Sequence, residues 1–270
     1  MAGDGIGIIA GGGGLPRALA EALPEATCIA FEGAEVQIDE ARLTRHRVEK
    51  LGGLFEALRN AQVTRVVMAG AMSRPALDPA QLDPVMMALA PRILQAMQGG
   101  DDALLRLVIA IFEEQGFEVI GAHELLPDLT AAAGLVAGPQ PDDRARTDIT
   151  RAQDILTALG PVDVGQACVV AGGLCLGVET LQGTDALLRF VTETPAHLRP
   201  KSGGVLVKRP KPGQDLRVDM PAIGPDTVRA AHSAGLAGIA IAAGQVLLID
   251  RPTLLTALKD TGLFLIADPA

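Results

Sequence analysis

The sequence predicts an α/β protein in two parts, a doubly wound parallel sheet followed by a mixed α/β domain. Three observations carry this. The 270 residues exceed one typical domain and fall short of three. Short apolar runs alternate with helix-period segments through the first half, the pattern of βα units. The first run, 5–10, feeds a GGGG turn that opens a helix, which brings backbone N–H groups to a helix N-terminus. The expected boundaries are a first domain over 1–135, a linker over 136–147 where Ala, Gly, Pro and charge break every period, and a second domain over 148–270.

In chain order, 17–23 is helical and 26–31 is a second strand ending before Glu32. A helix over 51–61 precedes the buried parallel-type strand 63–69, whose end carries Ser73 and Arg74. Ligands of open parallel sheets sit outside the carboxyl ends of strands, which makes those two residues candidates. Helices follow over 83–97, with Met86, Met87 and Met97, and from Asp101 to Phe112, where Asp101 or Asp102 suits an N-cap. Adjacent aspartates also suit Mg²⁺, an ion held by one or two carboxylates plus substrate phosphate. The strand 117–122 delivers His123 and Glu124 to the ligand edge.

The second half opens with a helix over 148–159, then two strands within 166–180 turned at Gly172-Gly173. Thr184 and Asp185 stand as helix caps or ligands, and Glu179 lies near enough in sequence to share their site. Helices over 228–234 and 253–260 are expected, with 238–243 and 246–250 as a strand pair turned at Gly244-Gln245, and 263–267 as the last strand.

Composition narrows the function. The net charge is −9, tryptophan and tyrosine are absent and only six phenylalanines occur. Neither an extended positive stripe nor a stacking platform is available, so nucleic acid is not an expected partner. Three cysteines without ligand spacing read as reduced, and the start lacks the form of a signal peptide. The longest apolar stretch, 234–249, is interrupted by glycines and Gln245, so the expectation is a cytoplasmic chain, with peripheral contact at the inner membrane left open.

Against that acidic background, residues 199–217 hold six cations and one acid, Asp215. Pro210, Pro212, Pro221 and Pro225 exclude an ordinary helix across the segment and hold its charges on a restricted frame. Lys208 and Lys211 are thereby aimed at an anionic ligand. Asp226 follows as either a helix N-cap or a carboxylate for metal or water chemistry.

These motifs together resemble a family, the UDP-2,3-diacylglucosamine pyrophosphatases of the type unrelated to calcineurin-like phosphoesterases. The matching stretches are IAGGGGLP at 9–16, AGAMSRP at 69–75, GDDALLR at 100–106, GFEVIGAHE at 116–124, VDVGQ at 162–166, VETLQGTDALLR at 178–189 and VKRPKPGQDLRVDMPAIGPDTV at 207–228. The resemblance implies a Rossmann-like first domain, a substrate cleft between two domains, a homodimer, and Mg²⁺-assisted hydrolysis of an acylated nucleotide sugar to UMP and 2,3-diacylglucosamine 1-phosphate in lipid A biosynthesis. It implies water attack at the uridine-side phosphorus, with Asp226 catalytic. The binding positions it carries over are Gly11, Gly12, Gly13, Ser73, Arg74, His123, Thr184, Asp185, Lys208 and Lys211, and Asp226, Asp101 and Asp102 are the candidate metal ligands. Gly172 departs from relatives that carry an acid before the hairpin glycine, and Ala71 stands where Asn would also suit. A nicotinamide oxidoreductase using the glycine turn and Glu32 competes with this reading, but leaves the basic stretch unused and has no Tyr for proton transfer. A non-catalytic carrier of an acylated nucleotide sugar also competes.

Overall fold

The computed structural model describes residues 5–72, 77–99, 101–200 and 203–269, with Asp101 described by its backbone alone. The chain forms two compact units. One comprises residues 1–126 together with 215–219, and the other 127–214 together with 220–270.

The first unit is built from β1 (Ile6–Ala10), α1 (Gly14–Ala22), β2 (Thr27–Phe31), β3 (Leu43–His46), α2 (Leu51–Asn60), β4 (Arg65–Ala69), α3 (Pro84–Gln98), α4 (Asp101–Glu114), β5 (Glu118–Ile120) and α5 (Ala122–Leu125). Its five strands are all parallel in the order β3-β2-β1-β4-β5. The order reverses between β1 and β4, the position at which doubly wound sheets open a crevice. Half of the phenylalanines, Phe55, Phe112 and Phe117, meet in one core cluster with ring centroids 5.3–6.3 Å apart. Met86 is buried there while Met87 is exposed, so the methionines of α3 divide between core and surface. Asp83 accepts from the backbone N–H of Met86 and of Gly52, each at 2.7 Å, and so serves the first turns of two helices.

The second unit follows as β6 (Gly134–Ala137), α6 (Asp143–Leu159), β7 (Ala167–Ala171), β8 (Leu174–Val178), α7 (Gly183–Thr192), β9 (Val205–Lys208), β10 (Ala222–Ile223), α8 (Pro225–Ser233), β11 (Gly238–Ala242), β12 (Leu247–Leu248), α9 (Arg251–Thr261) and β13 (Phe264–Asp268). Its six-stranded mixed sheet has the order β6-β13-β11-β9-β7-β8, with β9, β11 and β13 parallel and the flanking pairs antiparallel. Alternate residues of β7 show why the sheet is covered on both faces. Ala167 and Val169 join the core under α7, α8 and α9, whereas Cys168 and Val170 pack under α6.

Several expectations are corrected. The linker placed at 136–147 overlaps β6 and the first turns of α6, and the division between units falls at 126/127. β6 is a short, half-exposed edge strand whose three apolar residues, Leu135 to Ala137, lie between glycines with positive φ, too brief a run to stand out from the linker composition. α6 starts five residues before the expected 148, capped by Asp142, which accepts from the N–H of Ala145 at 2.8 Å. β3 was not foreseen, because its LTRH sequence has one apolar residue. Residues 238–243 and 246–250 do not pair with each other: β11 is a central parallel strand between β9 and β13, while β12 pairs with β10 in a separate two-stranded sheet.

The acid absent at Gly172 has a substitute from another element. Asp148 of α6, 2% exposed, accepts from the N–H of Gly172 at 2.9 Å and of Gly173 at 2.7 Å, pinning the β7–β8 turn to the helix below it. We predict that Asp148→Ala lowers unfolding free energy by about 2–3 kcal/mol, with Asp148→Asn losing roughly half as much, because one acceptor oxygen survives. Urea denaturation midpoints of the two variants check this, and an Asn variant as stable as wild type would remove the charge-assisted part of the account.

Candidate active site

In the second unit, chemistry collects at the carboxyl edge of the sheet. β8 runs antiparallel to β7, which runs antiparallel to β9, so β8 and β9 end at the same edge. Lys208, last residue of β9, is 8% exposed. Its Nζ donates to Thr184 Oγ1 at 2.6 Å and lies 3.8 Å from Glu179 Oε2. Thr184 in turn donates its hydroxyl proton to Glu179 Oε2 at 2.5 Å. The result is a buried chain of ammonium, hydroxyl and carboxylate. Thr184 is thus committed to this chain and does not cap α7, where Gln182 holds the cap position. Glu179 was noticed in sequence for its spacing but not assigned a role; its position just past β8 is what joins it to Lys208. Asp185 stands exposed in the first turn of α7, where the helix dipole favours a carboxylate.

Lys211 reaches Asp163 in an ion pair. Two further cations of the basic stretch are also engaged. Arg199 donates to the carbonyl of Ala234, and Arg217 bonds Asp215 at 2.7 Å and Glu113 at 2.8 Å within the first unit. That arginine holds the Asp215 carboxyl below its usual range. The stretch therefore does not present a cluster of bare positive charge.

Asp226 occupies the second residue of α8, and the expected N-cap role is corrected. Gly224 is the cap, its N–H bonded to Thr227 Oγ1 at 3.3 Å, because Pro225 takes the first helical position that proline favours. The Asp226 side chain is 90% exposed and meets Arg229 at 2.7 Å. Its carboxylate stands at the helix end rather than serving it.

In the first unit the glycine turn is explained largely by close packing at the strand-order reversal. Gly12 and Ala71 exchange backbone hydrogen bonds at 2.8 and 3.0 Å, and Gly11 donates to the Ala69 carbonyl at 2.7 Å. A Cβ at Gly11 would lie 2.4 Å from the Ala71 oxygen. The N–H groups of Gly11 and Gly12 are accordingly used by the fold. Gly13, at φ +91° with open space around its Cβ position, is the N-cap of α1 and is the member of the run placed for an anion at a helix N-terminus. Ser73 and Arg74 lie outside the described residues.

His123 sits in α5 with a buried Nδ1 that has no hydrogen-bond partner among the described residues. His46, at the carboxyl end of β3, has an equally orphaned Nε2, and nothing in a polar edge strand flagged it in advance. Asp102 is paired with Arg106 at 3.0 Å across one helical turn. Glu32 lies 4.0 Å from Arg47, so the carboxylate that the dinucleotide reading needs has a cation beside it. Among the described residues, no group of three or more His, Cys, Asp or Glu side chains converges to hold a metal, and no helix is long and apolar enough to cross a membrane.

Family models test the whole arrangement. One described as the LpxI N-terminal domain matches residues 5–129, and one described as the LpxI C-terminal domain matches 132–266. This chain belongs to the LpxI family. The two LpxI matches adjoin within a few residues of the division between the compact units, well before the linker expected at 136–147. A relative, the UDP-2,3-diacylglucosamine pyrophosphatase LpxI of Caulobacter vibrioides, is 39% identical over 274 residues, covering 98% of this chain and 98% of its own. The α/β architecture, with a parallel first sheet and a mixed second sheet, is thus that of a two-domain LpxI chain.

Two predictions follow from this geometry. Glu179→Gln removes the carboxylate beside the buried Lys208 ammonium and is expected to cost about 2–4 kcal/mol, whereas adding Lys208→Met returns most of that loss. A double-mutant cycle in urea measures it, and additive losses would show that the pair does not interact. For His46, burial pushes the imidazole pKa down from its ordinary 6.5. The folded chain then binds fewer protons than the unfolded chain, so stability is lost as pH falls through about 6.5 and levels off below the folded value. His46→Asn should flatten the decline in unfolding free energy between about pH 7 and about pH 5, and an unchanged slope would assign it to other groups.

Proposed function

We propose that this chain hydrolyses the diphosphate of UDP-2,3-diacylglucosamine, releasing UMP and 2,3-diacylglucosamine 1-phosphate, as a step of lipid A biosynthesis. The observation that carries the reading is the 39% identity to the Caulobacter pyrophosphatase over 98% of both chains. The buried Lys208 and the exposed Asp226 are the residues of the second unit whose settings suit it best.

A diphosphate diester resists nucleophiles because its oxygens are already negative. Cations must therefore be fixed where charge develops, and preorganised donors in a poorly solvated place do this most effectively. Lys208 supplies such a charge, with Thr184 and Glu179 restricting its position. Lys211, beyond Pro210, supplies a second cation. Asp226 orients the attacking water toward the uridine-side phosphorus, and its exposure leaves room for both water and substrate.

The same carboxylate fits Mg²⁺. That ion commonly takes one or two protein carboxylates together with substrate phosphate oxygens and keeps several waters, so an exposed aspartate with no cage around it is a sufficient protein ligand. Asp102, tied to Arg106 at 3.0 Å as Asp226 is to Arg229 at 2.7 Å, is the other described aspartate that could serve. When bound at Asp226, Mg²⁺ would neutralise diphosphate charge and make its bound water more acidic. Peripheral contact with the membrane that holds the acyl chains, and a homodimeric state, belong to the same reading.

The test is hydrolysis of UDP-2,3-diacylglucosamine by wild type and Asp226→Ala, with Mg²⁺ or with EDTA, resolving UMP from UDP. Wild type is expected to yield UMP only with metal, and the variant to retain substrate binding while losing on the order of 10²-fold or more in turnover. Equal cleavage by both proteins would remove Asp226 from the chemistry. Binding without cleavage by wild type would make the chain a carrier.

A further inference from the structure

Two of the three cysteines meet. Cys168 of β7 and Cys175 of β8 have their sulfurs 3.8 Å apart, while Cys28 is buried alone in the other unit. The meeting depends on an irregularity in the hairpin. Cys168 pairs with Val178 and Val169 with Gly177, but Val170 then pairs with Cys175, leaving Leu176 as an extra residue. In a regular ladder Cys175 would stand opposite Ala171 and point to the face that carries α7, α8 and α9. The one-residue shift sends it to the α6 face, where Cys168 lies. Asp148 fixes this register from below by holding both glycines of the turn.

The two thiols differ in access. Cys168 is fully buried, and Cys175 is exposed on β8, the edge strand of the sheet. Burial pushes the Cys168 thiol up, with the neighbouring Cys175 adding to the shift. A reagent from solvent therefore meets Cys175 first, and Cys168 is reached through it. A disulfide needs the sulfurs at about 2.05 Å, so they must close by roughly 1.8 Å, a movement that side-chain rotation of the exposed cysteine can supply.

We propose that Cys168 and Cys175 form a reversible oxidation site, with Cys175 the sulfur that reacts with a hydroperoxide and Cys168 the sulfur that resolves it. In the first step the Cys175 thiolate attacks the terminal peroxide oxygen. The O–O bond breaks, and Cys175 becomes a sulfenic acid as the leaving hydroxide takes a proton to become water. In the second step the Cys168 sulfur attacks the sulfenic sulfur. The S–S bond forms, the S–O bond breaks, and the departing hydroxide leaves as water with the Cys168 proton. Two thiols lose two electrons and two protons, and hydrogen peroxide is reduced to two waters. An added dithiol reverses the oxidation by exchange. The bond ties the edge strand that leads into Glu179 to the buried strand beside it.

The experiment treats the full reduced chain with hydrogen peroxide and follows mass and thiol count under denaturing conditions. Both cysteines lie on one tryptic peptide, residues 152–189, since no Lys or Arg separates them, and Cys28 lies on another. Wild type is expected to drop from three free thiols to one, with the 152–189 peptide lighter by two hydrogens and restored by dithiothreitol. Cys175→Ser, at an exposed position, should abolish the loss. Cys168→Ala should convert the product to oxygen adducts on Cys175. Oxygen adducts accumulating on wild-type Cys175, or chains linked through Cys175 with Cys168 still a thiol, would overturn the proposal. So would oxidation of wild type and Cys168→Ala to the same product. None of these readouts depends on the hydrolase reading.

Discussion

An ammonium cannot leave water alone, and the carboxyl edge of the second unit is arranged around that constraint at Lys208. β9 is a strand buried throughout, and its last residue carries a charge that the apolar layers on either side cannot solvate. The cost of taking such a charge out of water is several kcal/mol unless a partner and hydrogen bonds are supplied. Glu179 and Thr184 supply them from the end of β8 and the start of α7. That fixes where α7 begins relative to the sheet. It also explains why a threonine in the first turn of a helix is turned inward instead of capping it. One buried cation thus links the hairpin, the helix that follows it and the central strand.

The first unit is governed by a different constraint, the exclusion of side chains at the reversal of strand order. Gly11 and Gly70 approach so closely that a Cβ on either would stand 2.4 Å from a backbone oxygen of the other segment. Gly70 needs φ +90° besides. The four glycines of the turn are therefore not equivalent. Gly11 and Gly12 let two loops exchange backbone bonds, and only where the turn reaches Gly13 does it open toward space that a ligand can enter. A glycine run of this kind looks like a phosphate loop because both uses call for the same absence of a Cβ.

What could be read from the sequence was whatever is encoded locally. The parallel strands at 6–10 and 65–69 are continuous apolar runs, and the hairpin at Gly172-Gly173 carries its turn residues in plain view. β3 escaped because an edge strand needs little apolar surface, and β6 because its apolar run is three residues long and bounded by glycines. The placement of residues 215–219 with the first unit escaped because it depends on Arg217 finding Glu113, a hundred residues away. Asp226 was weighed as a cap on residue type, but the preceding proline decides the register and moves the cap to Gly224. Lys208 and Thr184 were legible as candidates from the basic stretch and from residue type, and family likeness added to both. That they touch, and that Glu179 completes them, required the antiparallel return of β7 and β8 to bring two strand ends to one edge.

The state of the basic stretch bears on how an anion would bind. Local composition suggested a patch of uncompensated charge, yet Lys211 holds Asp163, Arg217 holds Asp215 and Glu113, and Lys208 holds Thr184 close to Glu179. In an acidic chain this is the expected outcome, since free carboxylates are abundant and a bare cation would find one. A phosphate approaching Lys208 or Lys211 therefore exchanges places with, or adds to, an existing acceptor. The gain from each contact is reduced by the interaction it displaces, but the ammonium groups are already ordered and lose little freedom on binding. The arrangement favours a ligand that brings several phosphate oxygens at once over one that brings a single charge, because only the former can satisfy the cation and leave its internal carboxylate in place. A diphosphate has that property, and a simple carboxylate does not.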